Sequence, residues 1–213
     1  MNFKAIIFDI DGTLADTLPL CYSALIETIY HYSNKKYSDE EIRKFFGPSE
    51  EGIFMKMFPD NWEEVLNYYY DYYTENHEKL GKLYPKVPLM LAKIRKVGIL
   101  IGIVSGKGSK TAKISLDKMG IIDLVDCIKT GKPFGPSKPE AIKDVLKEFK
   151  VDAKEAGYVG DISYDMLASK EVGTYSIGAA WASTGKKEKL AEAGAEIIFE
   201  SLDDFQNWLL EKK

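Results

Sequence analysis

The sequence predicts an α/β fold: a doubly wound parallel sheet interrupted by one inserted α-helical block. Three observations lead there. Short apolar runs without polar alternation recur, as in residues 5–8 (Ala-Ile-Ile-Phe) and 99–104, and such runs suit strands buried on both faces of a parallel sheet. From residue 88 onward these runs alternate with helical stretches that end on glycine, the pattern of right-handed strand–helix crossovers. Between the first strand and that alternation, residues 16–82 read as helix throughout.

The elements follow in order. Residues 4–8 form the first strand, which ends abruptly at Asp9, Asp11 and Gly12. Pro19 suits the first turn of a helix running from Cys21 to Tyr32. Ser38 and Glu41 are spaced as a capping box, and Gly47-Pro48 closes that helix. Asn61 with Glu64 caps a long helix toward Leu80, stopped by Gly81. Its tyrosines, among them Tyr68, Tyr69, Tyr70, Tyr72 and Tyr73, are expected as the core of a small bundle rather than a stacking platform for bases. Beyond it, helices are expected over 88–97, 109–119, 138–149, 164–172, 186–193 and 202–210. Strands are expected over 99–104, 125–128, 156–159, 174–177 and 196–199. The expected division is therefore a core domain of residues 1–15 and 83–213, with a cap domain of residues 16–82.

Composition narrows the function. The chain has 213 residues, room for one sizeable domain or a core with a small insert. Its net charge is −4, it has no long basic stretch, and Arg43 and Arg95 are its only arginines, which argues against nucleic acid as a partner. No apolar run approaches the ~20 residues of a membrane helix, so no membrane partner is expected. Lys4, Asp9 and Asp11 break any signal-peptide pattern, so the expected location is cytoplasmic. Cys21 and Cys127 are expected as reduced, partly buried thiols. The oligomeric expectation is a monomer or a homodimer.

Three of the buried strands end in reactive side chains. The first ends in Asp9-Ile10-Asp11-Gly12-Thr13, the second in Ser105-Gly106-Lys107, and another in Gly160-Asp161, with Asp165 four residues on. Ligands of open parallel sheets bind beyond the carboxyl ends of the strands, so all three groups fall on one rim. Asp9 and Asp11 point the same way on an extended backbone, and Asp161 and Asp165 share one side of a helix start. Four converging carboxylates repel one another unless a hard cation joins them, and oxygen-only ligands select Mg²⁺. Lys138, opening a helix, adds positive charge, and Ser105 can donate to a phosphoryl oxygen unless it is only a helix cap. Lys132-Pro133 competes with Lys138-Pro139 as the third group, and the helix start favours Lys138. The run from Gly102 to Gly108 fails as a nucleotide P-loop, because Gly108 stands where Ser or Thr must bind the metal. His31 and His77 are expected to be solvated or packed.

In order along the chain, the run DIDGTLAD at residues 9–16, Ser105, Lys138 in Ser-Lys-Pro and the run GDISYD at 160–165 resemble the four motifs of the haloacid dehalogenase superfamily, with the helical cap after the first. The resemblance spans the whole chain and implies that superfamily's Rossmann-like core. It implies Mg²⁺-dependent phosphatase chemistry in which Asp9 is the nucleophile and Asp11 the general acid, then the base. It also implies that Ser105, Gly106 and Lys138 hold the phosphoryl group. Asp9, Asp161 and the backbone carbonyl of Asp11 would bind the metal, with Asp165 doing so directly or through water. Arg43, Gly47 and Pro48 lie on the stretch resembling the substrate-selecting cap loop of phosphoglycolate phosphatases and related pyrophosphatases. The expected substrate is a small phosphorylated metabolite, phosphoglycolate-like or a sugar phosphate, or pyrophosphate. A phosphomutase and a catalytically silent binding module are the alternatives; the intact acidic and basic residues oppose the second, and Asp11 opposes a dehalogenase.

Overall fold

The computed structural model describes residues 2–135 and 137–211. The chain opens with strand β1 (Ala5–Phe8), all four residues of which are fully buried. Strand β2 (Ala15–Asp16) leads into helices α1 (Leu18–Ser33), α2 (Asp39–Arg43), α3 (Glu50–Met57) and α4 (Trp62–Leu80). Strand β3 (Lys82–Leu83) then returns the chain to the sheet layer. The alternation that follows is α5 (Val87–Lys96), β4 (Leu100–Val104), α6 (Ser109–Lys118), β5 (Cys127–Lys129), α7 (Lys138–Phe149) and β6 (Ala156–Gly160). It closes with α8 (Ser163–Val172), β7 (Tyr175–Ala179), α9 (Lys187–Glu192), β8 (Ile197–Phe199) and α10 (Leu202–Glu211).

Among the described residues, the main sheet has six parallel strands in the order β5-β4-β1-β6-β7-β8. Alternation along β1 divides its side chains between two apolar layers. Ile6 and Phe8 join Ile101, Ile103 and Phe205 on one face, while Ala5 and Ile7 join Val145, Leu146 and Tyr158 on the other. Both faces are covered, which is why β1 carries no polar residue until it leaves the sheet. Phe8 pairs with Ile103 of β4 and with Val159 of β6, so the three strands end level with one another. The chain runs to one side of β1 through β4 and β5, then crosses to the other side at β6. This reversal of strand order opens a crevice beyond the end of β1.

The helical block has its own apolar cluster, built from Leu20, Leu25 and Ile29 of α1, Phe54 of α3, and Val65, Tyr69 and Tyr73 of α4. The tyrosines of α4 are core, as expected, with Tyr69 and Tyr73 buried one turn apart. Ser38 and Glu41 form the expected capping box. Other local expectations need correction. Asn61 holds the N-cap position of α4 without a side-chain hydrogen bond. The helix after Ser38 stops at Arg43, and the separate helix α3 follows Gly47-Pro48. The pairing of β2 with β3, Ala15 with Leu83 and Asp16 with Lys82, was not expected; two-residue strands carry no periodic signal. It brings the two crossings between sheet and helical block side by side.

The block touches the sheet layer closely at Gly52. Gly52 of α3 packs on the loop after β5, where a Cβ would run into the Pro133 carbonyl oxygen. Ser49 N–H also donates to the Lys132 carbonyl at 3.0 Å. In an open helix, Gly→Ala stabilises by about 1 kcal/mol. Here the collision with backbone outweighs that gain. Gly52→Ala is expected to lower the melting temperature, and a rise in a thermal melt would contradict the close approach.

Candidate active site

The level ends of β1, β4 and β6 set the site. Asp9 follows β1 directly, and its N–H donates to the Val159 carbonyl at 3.0 Å, so the backbone is still held by the sheet where the carboxylate begins. Asp9 Oδ1 accepts the Ile10 N–H at 2.8 Å, and Oδ2 accepts Lys138 Nζ at 2.7 Å. Gly12 turns the chain with φ of 77°, and a Cβ there would collide with the Asp161 carboxylate. Glycine is thus required twice over, for the left-handed backbone and for the close approach. Thr13 Oγ1 donates to Asp161 Oδ1 at 3.1 Å, and Trp181 Nε1 fixes the Thr13 carbonyl at 2.9 Å.

Lys138 is the first residue of α7, where Pro139 is tolerated because the N–H of an early helical position needs no partner within the helix. Its ammonium is buried and also donates to Asp165 Oδ1. Tyr158 OH reaches the same oxygen at 3.3 Å, while Asp165 Oδ2 accepts the N–H groups of Asp161 and Ile162 at 3.1 Å each. Both oxygens of Asp165 are therefore fully engaged in holding Lys138 and the start of α8. One carboxylate oxygen from each of Asp9, Asp161 and Asp165 nevertheless lies within 4.8 Å of the others.

Burial raises the Asp9 carboxyl above its ordinary value, and Asp165, Asp11 and Asp161 add to the shift against the pull of Lys138. Asp161 is raised by burial and then by Asp165. Burial works to lower Lys138, but Asp165 and Asp9 outweigh it and keep the ammonium well above 10.5. Negative charge is thus concentrated beyond what one lysine neutralises.

Asp11 points to a second buried lysine. Lys107 Nζ lies 2.9 Å from Asp11 Oδ1 and 3.0 Å from Cys21 Sγ, and Thr17 Oγ1 also donates to Asp11. Burial pushes the Cys21 thiol up to about 12, so it stays neutral. Both cysteines are free and buried.

A cavity of about 1050 Å³ joins these groups to the helical block. Asp9, Asp11, Ser105, Gly106, Lys138 and Asp161 line it from the sheet layer, and Arg43, Gly47 and Pro48 line it from the helical block. Asp165 lies behind the wall. The N-cap of α6 is Gly108, so Ser105 does not cap that helix; its buried Oγ accepts the Lys107 N–H at 3.3 Å. Lys132, the rival of Lys138, has an exposed side chain. Lys107 closes the Ser105-Gly106-Lys107 run at the end of the second strand, but the sequence assigns it no role; its pairing with Asp11, like the approach of Thr17 and Glu50 to this region, depends on packing.

The profile of haloacid dehalogenase-like hydrolases matches residues 6–179. The chain belongs to this hydrolase family. It is 30% identical over 206 residues to a protein named pyrophosphatase PpaX from Anoxybacillus flavithermus, covering 96% of this chain and 95% of that one. A haloacid dehalogenase-like family hydrolase from Streptococcus pneumoniae superposes with a TM-score of 0.76 at 24% identity, covering 97% of this chain and 98% of that one. A Haemophilus somnus protein described as a predicted phosphoglycolate phosphatase superposes with a TM-score of 0.80 at 22% identity over 98% of both chains. Among the described residues, no helix is long and apolar enough to cross a membrane.

Removing Lys138 would leave the buried Asp9 and Asp165 carboxylates without their cation. Breaking a buried pair in this way costs about 3–5 kcal/mol. Lys138→Ala is expected to lose stability on that scale in urea unfolding near neutral pH, while Lys132→Ala stays within about 0.5 kcal/mol of wild type. Equal losses would contradict the assignment of the buried cation.

Proposed function

We propose that this chain is a Mg²⁺-dependent phosphohydrolase that cleaves a small phosphomonoester, or pyrophosphate, through an aspartyl-phosphate on Asp9. The observation that supports it best is the level placement of Asp9, Ser105 and Asp161 around the buried Lys138, with Asp11 two residues from Asp9 in the same cavity.

In this mechanism an Asp9 oxygen attacks phosphorus and the bond to the leaving oxygen breaks. Asp11 gives its proton to that oxygen as it departs. Asp11 then takes a proton from water as the water attacks phosphorus, and cleavage of the bond to Asp9 releases phosphate and restores the carboxylate. Lys138, Ser105 and the Gly106 backbone hold the phosphoryl oxygens, since such transfer depends chiefly on position and charge neutralisation. Asp11 must leave its pairing with Lys107 and Thr17 to reach the leaving oxygen. Rotation of the helical block, residues 16–82, about the β2–β3 ribbon would carry Thr17 away and exclude bulk water on closing.

The donor set fits Mg²⁺. It is composed of oxygen only, its carboxylates carry more charge than Lys138 neutralises, and Gly12 leaves Asp161 uncrowded by a side chain. Asp9, Asp161 and the Asp11 carbonyl would hold the ion, and Asp165, its oxygens already engaged, would act through water. When bound, Mg²⁺ neutralises charge on the phosphoryl oxygens. Arg43, Gly47 and Pro48 would contact the leaving group. The partner is a small phosphorylated metabolite or pyrophosphate.

Phosphate release from a panel of small phosphoesters is expected to require Mg²⁺, to stop with chelator, and to vanish in a folded Asp9→Asn variant. Near-normal turnover in that variant would exclude the covalent route. The raised carboxyls add a second test. Above 3.8, the folded metal-free chain holds protons on Asp9 and Asp161 that the unfolded chain has released, so its stability falls as pH rises toward their folded values. Mg²⁺ competes with those protons, so it should raise the melting temperature more at neutral than at acidic pH. An equal rise at both would contradict carboxylate binding.

A further inference from the structure

We propose that the alcohol released from the substrate is uncharged and ring-bearing, and that Glu50 is the specificity-determining residue that turns away a second anionic group. The proposal rests on the phosphatase reading above and narrows it. Glu50 is the first residue of α3 and lies in the cavity wall, only 7% exposed. Its Oε2 accepts the Gly108 N–H at 2.6 Å. Gly108 is the N-cap of α6, so a carboxylate of this chain occupies the helix end that would otherwise favour an anion on the substrate. The fit is close: a Cβ at Gly108 would stand 2.5 Å from a Glu51 carboxylate oxygen and 2.7 Å from Glu50 Oε2.

The neighbouring cation is already matched. Lys107, adjacent to Gly108, pairs with Asp11 at 2.9 Å. Burial raises the Glu50 carboxyl above its ordinary value, against the opposing pull of Lys107 and of the Gly108 N–H. A diphosphate or a phosphorylated carboxylate would therefore bring its second charge against Glu50 in a water-poor setting. Arg43, the cation on the nearby cap segment, lines the cavity but is exposed, so solvent screens it.

The rest of the cap wall suits a flat apolar face. Tyr22 and Phe46 both line the cavity and stack with centroids 5.4 Å apart and planes 7° apart. Phe46 is 39% exposed, which leaves surface for another ring, and Leu18, Leu25 and Ile53 continue the apolar wall. A cavity of about 1050 Å³ is also far larger than an inorganic diphosphate needs.

The test compares kcat/KM with Mg²⁺ for phenyl phosphate and glucose 1-phosphate against pyrophosphate and phosphoglycolate. Wild type should favour the two ring phosphates by about tenfold or more, the size of a modest pocket preference. Glu50→Gln keeps an acceptor for the Gly108 N–H and removes the charge. It should shrink that ratio by about tenfold, chiefly by lowering KM for the anionic pair. Tyr22→Ala should cost the ring phosphates more than pyrophosphate, and it tests the same pocket independently of Glu50 folding effects. Pyrophosphate or phosphoglycolate as the best wild-type substrate would overturn the proposal, as would Glu50→Gln scaling all four rates equally. Failure of all four to release phosphate would instead overturn the phosphatase reading. In that case calorimetric binding of the same four compounds to Asp9→Asn, with and without Glu50→Gln, decides the role of Glu50: an unchanged preference sinks it.

Discussion

The ammonium of Lys138, buried between the carboxylates of Asp9 and Asp165, is the contact on which the remaining geometry depends. Burying like charges is unfavourable unless a cation and hydrogen bonds meet them. Lys138 meets two at once. Asp165 returns the favour to the backbone by accepting the N–H groups of Asp161 and Ile162, which fixes the turn that presents Asp161. These two ion pairs of one lysine thus tie β1, α7 and the β6–α8 turn together. The arrangement also leaves a deficit of positive charge, and the neighbouring carboxylates add to burial in raising the carboxyls of Asp9 and Asp161. In the proposed mechanism a divalent cation and the substrate phosphoryl complete that balance.

The sheet makes this possible through register. Because β4, β1 and β6 end level, residues far apart in the chain emerge at the same height over a crevice that the reversal of strand order leaves open. The helical block roofs that crevice. Its own apolar cluster lets it stand as a packed unit, and the β2–β3 ribbon brings its two connections together, which suits the lid motion proposed above. The cap side of the cavity is built where α1, the segment after α2, and α3 face the loop before α6.

Much of this was legible in the sequence, for physical reasons. An apolar run that ends in charged residues marks a buried strand meeting a rim, so the positions of Asp9, Ser105 and Asp161 followed from hydrophobic patterning. The place of Lys138 at a helix start separated it from Lys132, and the structure buries the first and exposes the second. The family resemblance in four ordered motifs agrees with the matched family profile. What stayed hidden depends on packing. Saturation of Asp165 needs Tyr158 and Lys138 brought from other elements. The Lys107–Asp11 pair and the Glu50–Gly108 contact join segments that no local pattern relates. The helix α3 and the β2–β3 ribbon are short, and short elements carry weak periodic signals.

In the proposed mechanism Asp9 becomes phosphorylated while Lys138 holds the transferring group. Acid quenching of a single turnover with Mg²⁺ and phenyl phosphate, followed by peptide mass spectrometry, reads out that step. One phosphoryl group is expected on the peptide carrying Asp9, rising and then decaying as phosphate appears, and absent from Asp9→Asn. Turnover with no phosphoryl group on Asp9, or with one on Ser105 instead, would exclude the aspartyl-phosphate.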